Sequence, residues 1–274
     1  MYLFNSELIS RFAVDHGGTI SVFLFGGSMG VIMALMLSWK QGDSFYAHKE
    51  YTSNKLSRTL ALMGAAFCWI FFPVLNFNVS PDLFIYSHGA ISTIICISSS
   101  VATMVGLSLA IDGKMNLRCL ITSVIAGGVI IGSSSTNIFN PLGALIMGVI
   151  AAVGQYFFVK LEVMMGMKPL WSNGVLFLFV AQGIIGGIAS AVFRELHEIS
   201  GTFGSSYNAM IQDFKGLEGG QIGATLLSLF FGSLGGLLLS LLIACVNKEG
   251  RRTFYQDEGY WLIEDEALMD KWFD

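Results

Sequence analysis

Seven long apolar stretches, separated by short polar connections, constrain this 274-residue chain more than any other feature. They fall at about 17–39, 59–79, 85–111, 117–133, 141–159, 173–193 and 221–247. A helix needs roughly 20 apolar residues to cross a bilayer core. All seven meet or approach that length, the fourth being short and semi-polar. Only 12% of the residues are charged, about half the share of a soluble domain. The expectation is therefore an all-α polytopic membrane protein of about seven transmembrane helices, not two soluble domains. Between Gly17 and Lys248 the charged residues fall almost entirely in the connections, with Arg118 at the edge of the fourth span. No Asp, Glu, Lys or Arg is expected at mid-membrane depth, which argues against a charged proton relay or a voltage sensor.

Lys and Arg set orientation, because basic residues concentrate on one side of a membrane. With seven spans, one side collects Lys40, Lys49, Lys55, Arg58, Lys114, Arg118, Lys160, Lys168, Lys248, Arg251, Arg252 and Lys271, twelve of the fifteen basic residues. The other keeps Arg11, Arg194 and Lys215. The asymmetry supports the count of seven. It puts the C-terminal tail on the basic side and the N-terminus opposite. Residues 1–16 carry no basic n-region and no cleavage pattern, so the first span is expected to be retained rather than removed as a signal peptide. The chain then divides into an N-terminal segment (1–16), a membrane domain (17–247) and an acidic, aromatic tail (248–274).

A net charge of −4 gives no reason to expect nucleic acid as a partner. Cys68, Cys96, Cys119 and Cys245 are scattered without a CxxC pair, so neither zinc nor a disulfide framework is supported. Four pairs of glycines stand four residues apart inside spans: Gly26 and Gly30, Gly128 and Gly132, Gly183 and Gly187, Gly232 and Gly236. Such pairs let helix backbones approach closely. Asn76, Gln155 and Gln182 are the notable polar residues within spans, each expected to bond across a helix contact or to line a pathway. Ser98, Ser99 and Ser100 are expected to return their hydroxyls to the backbone one turn back. The segment Glu195–Gln221 is polar and glycine-containing, and reads as the longest loop on the basic-poor side. Tyr255, Tyr260, Trp261 and Trp272 in the tail suggest docking on the bundle or a neighbour, or anchoring at the membrane interface. No nucleophile–base pair, metal cluster or phosphate loop is visible, and His16, His48, His88 and His197 are dispersed, so neither an enzyme nor a cofactor is expected.

Five runs carry a family resemblance. Asp15-His16-Gly17-Gly18-Thr19 resembles the Asp-x-Gly-Gly-[Ser/Thr] start of a pore helix in the ammonium transporter and Rhesus family. Gly64 to Asn76, with Trp69, Pro73 and Asn76, is similar to a Rhesus run Gly-Thr-Leu-Phe-Leu-Trp-Met-Phe-Trp-Pro-Ser-Phe-Asn. Ile125-Ala126-Gly127-Gly128-Val129 and Asn140-Pro141-Leu142-Gly143-Ala144-Leu145 resemble the family's Leu-Ala-Gly-Gly-Val and Pro-x-Gly-Ala. Phe254-Tyr255-Gln256-Asp257-Glu258-Gly259-Tyr260-Trp261 resembles a Rhesus tail. The five occur in family order at about family spacing. Family members have eleven or twelve spans in two inverted repeats around a pore. This chain resembles the last seven, with four or five N-terminal spans absent.

The resemblance implies former pore positions at Phe23, Leu75, Asn76, Phe179 and Gln182. The family places one pore His eight residues after the motif Asp, which is Phe23 here. A second stands four residues before a Gly-rich run, here Gly183-Ile184-Ile185-Gly186, which gives Phe179. Leu75 aligns with a pore-blocking Phe. If Asn76 and Gln182 face the former pore, they would meet hydrocarbon unless something covers them. Phe offers neither donor nor acceptor, so two Phe in the twin-histidine slots imply a closed path. The expected function is a degenerate, non-conducting accessory subunit of a larger membrane complex. The alternative is an ammonium or ammonia channel completed by a partner chain. Expected partners are other membrane subunits or, less favoured, two further copies in a family-like homotrimer, with lipids around them. A plasma membrane and an organelle membrane such as the mitochondrial inner membrane both fit.

Overall fold

The computed structural model describes residues 2–38, 55–77, 83–138, 140–164, 175–200 and 218–246. Every regular element among them is helical: α1 (Tyr2–Phe12), α2 (Phe25–Ser38), α3 (Lys55–Phe77), α4 (Leu83–Leu107), α5 (Leu117–Ile131), α6 (Pro141–Met164), α7 (Gln182–Ser200) and α8 (Glu218–Val246). Three π-helical turns extend them: Thr19–Leu24 leads into α2, Ser108–Asp112 follows α4, and Leu176–Ala181 leads into α7. Six of these helical runs are long and apolar enough to cross a membrane, and α5 is a seventh, shorter apolar helix. The chain is a multi-pass integral membrane protein.

α5 has 15 residues, which rise only about 22 Å at 1.5 Å per residue. That is short of a core about 30 Å thick. The span expected to be short and semi-polar ends in a turn, Gly132 to Asn137, sunk inside the bundle. Ser133, Ser134, Ser135, Thr136 and Asn137 are all buried. Non-helical backbone at membrane depth is tolerated where protein surrounds it and supplies partners. Here Ser133 Oγ donates to Gly186 O (3.0 Å), and Ser190 Oγ donates to Ser133 O (2.9 Å).

Helices α4, α5 and α6 form one packed group, and α2, α7 and α8 another. Gly127 of α5 and Gly148 of α6 lie against the α4 backbone, so that a Cβ on either would press on Ile97, Cys96 or Ser100. That closeness corrects the expectation for the serines. Ser99 Oγ donates to Leu145 O (2.8 Å) and Ser100 Oγ to Ser123 O (2.9 Å), on the neighbouring helices rather than one turn back. Among the glycine pairs, Gly232 and Gly236 seat α8 against the carbonyls of Phe25 and Met29, and Gly183 and Gly187 meet Leu24 and Thr225. Gly128 and Gly132 meet Phe72 and Thr19. The remaining pair packs only loosely: Gly26 faces open space, Gly30 meets only Val175, and it is Gly27, between them, that touches Phe179 closely.

The N-terminal segment contains a helix that the pattern did not signal. In α1, Asn5 and Ile9 are buried. Asn5 Nδ2 donates to Ser21 O (3.3 Å) and Ser228 Oγ (3.4 Å), which ties α1 to α8 and to the π turn before α2. The polar stretch read as a loop from Glu195 is helical as far as Ser200. The remainder of that stretch and the aromatic tail lie outside the described residues.

Candidate functional site

The site is built on the turn between α1 and α2. Asp15 Oδ2 accepts from Ile20 N (3.0 Å), Ser21 N (2.7 Å) and Ser21 Oγ (2.8 Å), so it caps a helix start whose first N–H groups have no intrahelical partner. Burial pushes the Asp15 carboxyl above its ordinary value, and the bonds from Ser21 and Ile20 pull against that shift. Gly18 has φ +66°, a left-handed conformation that favours glycine. Gly17 lies against Gly132 so closely that a Cβ would collide with its backbone, and Gly17 N donates to Gly132 O (3.0 Å). Thr19 Oγ1 donates to Val129 O (2.8 Å) and accepts from Ser133 N (2.8 Å).

The motif Asp15, Gly17, Gly18, Thr19 therefore joins the start of the second helical run to the end of α5. The joint continues outward. Gln221 Nε2 donates to Ser190 Oγ (3.2 Å) and to Val14 O (3.0 Å), and Val14 N donates to Gln221 Oε1 (3.1 Å). Asp15→Ala is expected to destabilise the protein by about 2 kcal/mol, the upper end for an N-cap. Urea titration in mild detergent would measure it; an unchanged midpoint would dismiss the capping role.

Five positions were singled out by alignment to a pore, and the structure does not bring all five to one place. Phe23 and Phe179 are together: their rings stack with centroids 5.8 Å apart and planes 6° from parallel. Phe72 of α3 joins them, 6.0 Å from Phe23. Its ring in turn lies over Gly128, where any side chain would displace it. Leu75 points outward, 58% exposed. Asn76 is fully buried at the joint, where its Nδ2 donates to Thr93 Oγ1 (3.2 Å) and Gly128 O (3.3 Å). Gln182 is fully buried against α6, donating to Ala151 O (3.2 Å). The expectation that Asn76 and Gln182 would meet hydrocarbon is thus corrected: the chain itself encloses both, because close helix contacts bring backbone carbonyls within their reach. Gln155 is also fully buried, and its amide has no hydrogen-bond partner among the described residues.

Sequence reasoning missed how the two phenylalanines are carried. Phe23 lies in the π turn Thr19–Leu24 and Phe179 in the π turn Leu176–Ala181. A π turn inserts one residue into the helical ladder and is often found at functional sites. It also loosens backbone bonding, and side chains compensate: Ser228 Oγ donates to Ile20 O (2.6 Å) and Asn5 to Ser21 O. No residue type marks a π turn in advance. The only available signal was that Asn5 and Ser228 are polar residues with no obvious task.

An all-helical bundle of membrane-length helices, with paired aromatic rings on two facing π turns and a glycine-rich joint beside them, defines the class as a multi-pass membrane fold. The model of the Ammonium Transporter Family matches residues 4–253. This chain belongs to that family, and its likeness is to Rhesus-type members. It is 27% identical over 277 residues to the Ammonium transporter Rh type C of Oncorhynchus mykiss, covering 93% of this chain and 54% of that protein. It is 27% identical over 266 residues to Rhesus-like glycoprotein A of Dictyostelium discoideum, covering 92% and 49%. Among solved structures, it superposes on Rh50 of Nitrosomonas europaea with TM-score 0.70 at 20% identity, covering 99% of this chain and 68% of that one. A sensor Amt protein gives TM-score 0.64 at 19% identity, covering 89% and 57%. The chain spans about half the length of the curated relatives it matches.

Proposed function

We propose that this chain is a non-conducting member of its family that serves as a structural accessory subunit in a larger membrane complex. The observation that carries this reading is the Phe23–Phe179 stack. Both residues stand where the family resemblance puts pore histidines, and neither ring can donate or accept a hydrogen bond. A polar molecule passing an apolar wall without a partner loses several kcal/mol of solvation. Phe72, against Phe23, extends the apolar wall.

A second observation supports the accessory role. The outer face of α3 exposes Leu60, Met63, Phe67, Ile70, Phe71 and Leu75, a broad apolar surface suited to a neighbouring membrane chain. The same open face favours one rival: a channel for ammonium, the cargo named for the relatives, or for ammonia, whose second wall is supplied by another chain.

Reconstitution distinguishes them. Liposomes carrying this protein are expected to take up ammonia and methylamine no faster than empty liposomes. A saturable flux that Phe23→Trp abolishes would overturn the non-conducting reading. Phe23→His with Phe179→His is expected to leave flux at background, because Phe72 still lines the wall beside Phe23 with an apolar ring. Native mass spectrometry in mild detergent is expected to show a hetero-oligomer, with a homotrimer the lesser option; a monodisperse monomer would remove the accessory role.

A further inference from the structure

Two glutamine side chains meet at one depth of the membrane, where α6 packs on the start of α7. Gln155 lies six residues in from Leu161, the basic-side end of its apolar span, and Gln182 lies six residues in from Leu176, the basic-side end of its own. Gln182 Nε2 donates to Ala151 O (3.2 Å), the carbonyl that in an α-helix faces the N–H of residue 155. A helical side chain leans toward the N-terminus of its helix, so Gln155 leans over the turn of Ala151, where the Gln182 amide rests. Both side chains are fully buried. Neither atom of the Gln155 amide, nor Gln182 Oε1, has a hydrogen-bond partner among the described residues. Three orphan atoms, two acceptors and one donor nitrogen, therefore share one seam.

Unpaired amides are costly away from water, and buried polar groups normally have partners. There is room for one here. A Cβ on Gly154 would find Gln182 Nε2 at 3.7 Å and Phe158 Cε2 at 3.8 Å. These are ordinary contact distances, so a methyl-sized space borders the amide. On the basic side, Phe158 stacks on Phe177 with ring centroids 4.5 Å apart, and the pair screens the seam from that end of the bundle. We infer that the seam between Gln155 and Gln182 binds ordered water, which donates to the two Oε1 atoms and accepts from Gln155 Nε2. The chemistry selects this occupant. An apolar molecule would satisfy none of the three atoms. A bare cation would find no counter-charge, since residues 151–158 and 177–186 include no Asp, Glu, Lys, Arg or His. A buried water makes about three hydrogen bonds to groups that lack other partners, and the seam offers that set. The water also has a task. Gln182 N donates to Phe179 O at the end of the π turn that carries Phe179, so holding the Gln182 side chain holds the end of that turn. The inference is independent of whether the family path conducts.

The test uses the whole chain, isotope-labelled at nitrogen, in lipid bilayers, and follows magnetisation passing from water to the protein by solid-state NMR. The side-chain amides of Gln155 and Gln182 are expected to receive it well ahead of the backbone amides of Ile97 and Ile130, which are wholly buried in apolar clusters. In Gln155→Met, which keeps the length of the side chain, the lead of Gln182 is expected to be lost. The melting temperature is expected to fall, because Gln182 Oε1 is then stranded. Glutamine signals that build up no earlier than those of Ile97 in the wild type would overturn the inference. So would a Gln182 lead that persists in Gln155→Met. A higher melting temperature in that variant would overturn it too, being the result expected if Gln155 were a dry amide whose removal relieves the bundle. Ammonium chloride is expected to leave the Gln155 amide shifts unchanged; a saturable shift would mark a site for ammonia in place of water and overturn the assignment.

Discussion

Gly148→Ala is expected to destabilise the protein by about 2 kcal/mol, while Gly26→Ala is expected to be neutral or to stabilise it by up to about 1 kcal/mol. The two substitutions are chemically identical, and both place a methyl group on a membrane helix. Alanine is the better helix former by nearly 1 kcal/mol in either place. What differs is the surroundings. At Gly148 the new Cβ would meet the Cys96 carbonyl, with Ser99 Cβ at 2.8 Å and the Ser100 backbone nitrogen at 3.0 Å. The carbonyl and the nitrogen belong to the α4 backbone and cannot swing aside as a side-chain end could. The helices must separate, and separation also stretches Ser99 Oγ–Leu145 O and Ser100 Oγ–Ser123 O. At Gly26 nothing lies within 4 Å. Thermal unfolding in one detergent, followed by the tryptophan signal, should separate the two variants clearly. Equal melting temperatures would mean that α4 and α6 are not packed backbone to backbone.

That pair also marks the limit of what glycine spacing says. Gly26–Gly30 and Gly232–Gly236 are indistinguishable as sequence, yet only the second seats both glycines against a neighbouring helix backbone. The spacing places two glycines on one face but does not say which way the face points. Span positions were legible because hydrocarbon demands an apolar run of a set length, and six long apolar helices plus a short one stand where the pattern put them. The shared side of Arg58, Lys114, Arg118 and Lys160 was legible from charge alone, and one cavity gathers all four. The meeting of Phe23 and Phe179 was reached through a family alignment, not through periodicity. Their π turns, the burial of Asn76 and Gln182, and the docking of α1 through Asn5 depend on which backbone carbonyl lies opposite a side chain. Such pairings are fixed by tertiary packing and leave no periodic trace.

Thr19→Val is expected to cost about 3 kcal/mol, more than the loss of the Asp15 cap, although it changes the side-chain volume little. The Thr19 hydroxyl meets both sides of the α5 break. It donates to Val129 O, inside the helix, and accepts from Ser133 N, just past the helix end. Valine has the same shape and can do neither, so a buried carbonyl loses a donor and a buried N–H is left with no acceptor. Each orphan costs about 1–3 kcal/mol, and the bilayer core supplies no water to replace the partner. Thr19→Ser keeps the hydroxyl and loses one methyl group, so it should cost about 1 kcal/mol. The order Thr19→Val worse than Thr19→Ser is the diagnostic, because methyl packing alone predicts the reverse. Hydrogen exchange gives an independent view: the Ser133 amide should exchange faster in Thr19→Val at conditions where the α4 amides remain protected. Slow exchange at Ser133 in that variant would mean that the break in α5 is held by something other than the threonine, and the motif would lose its role as the joint of the bundle.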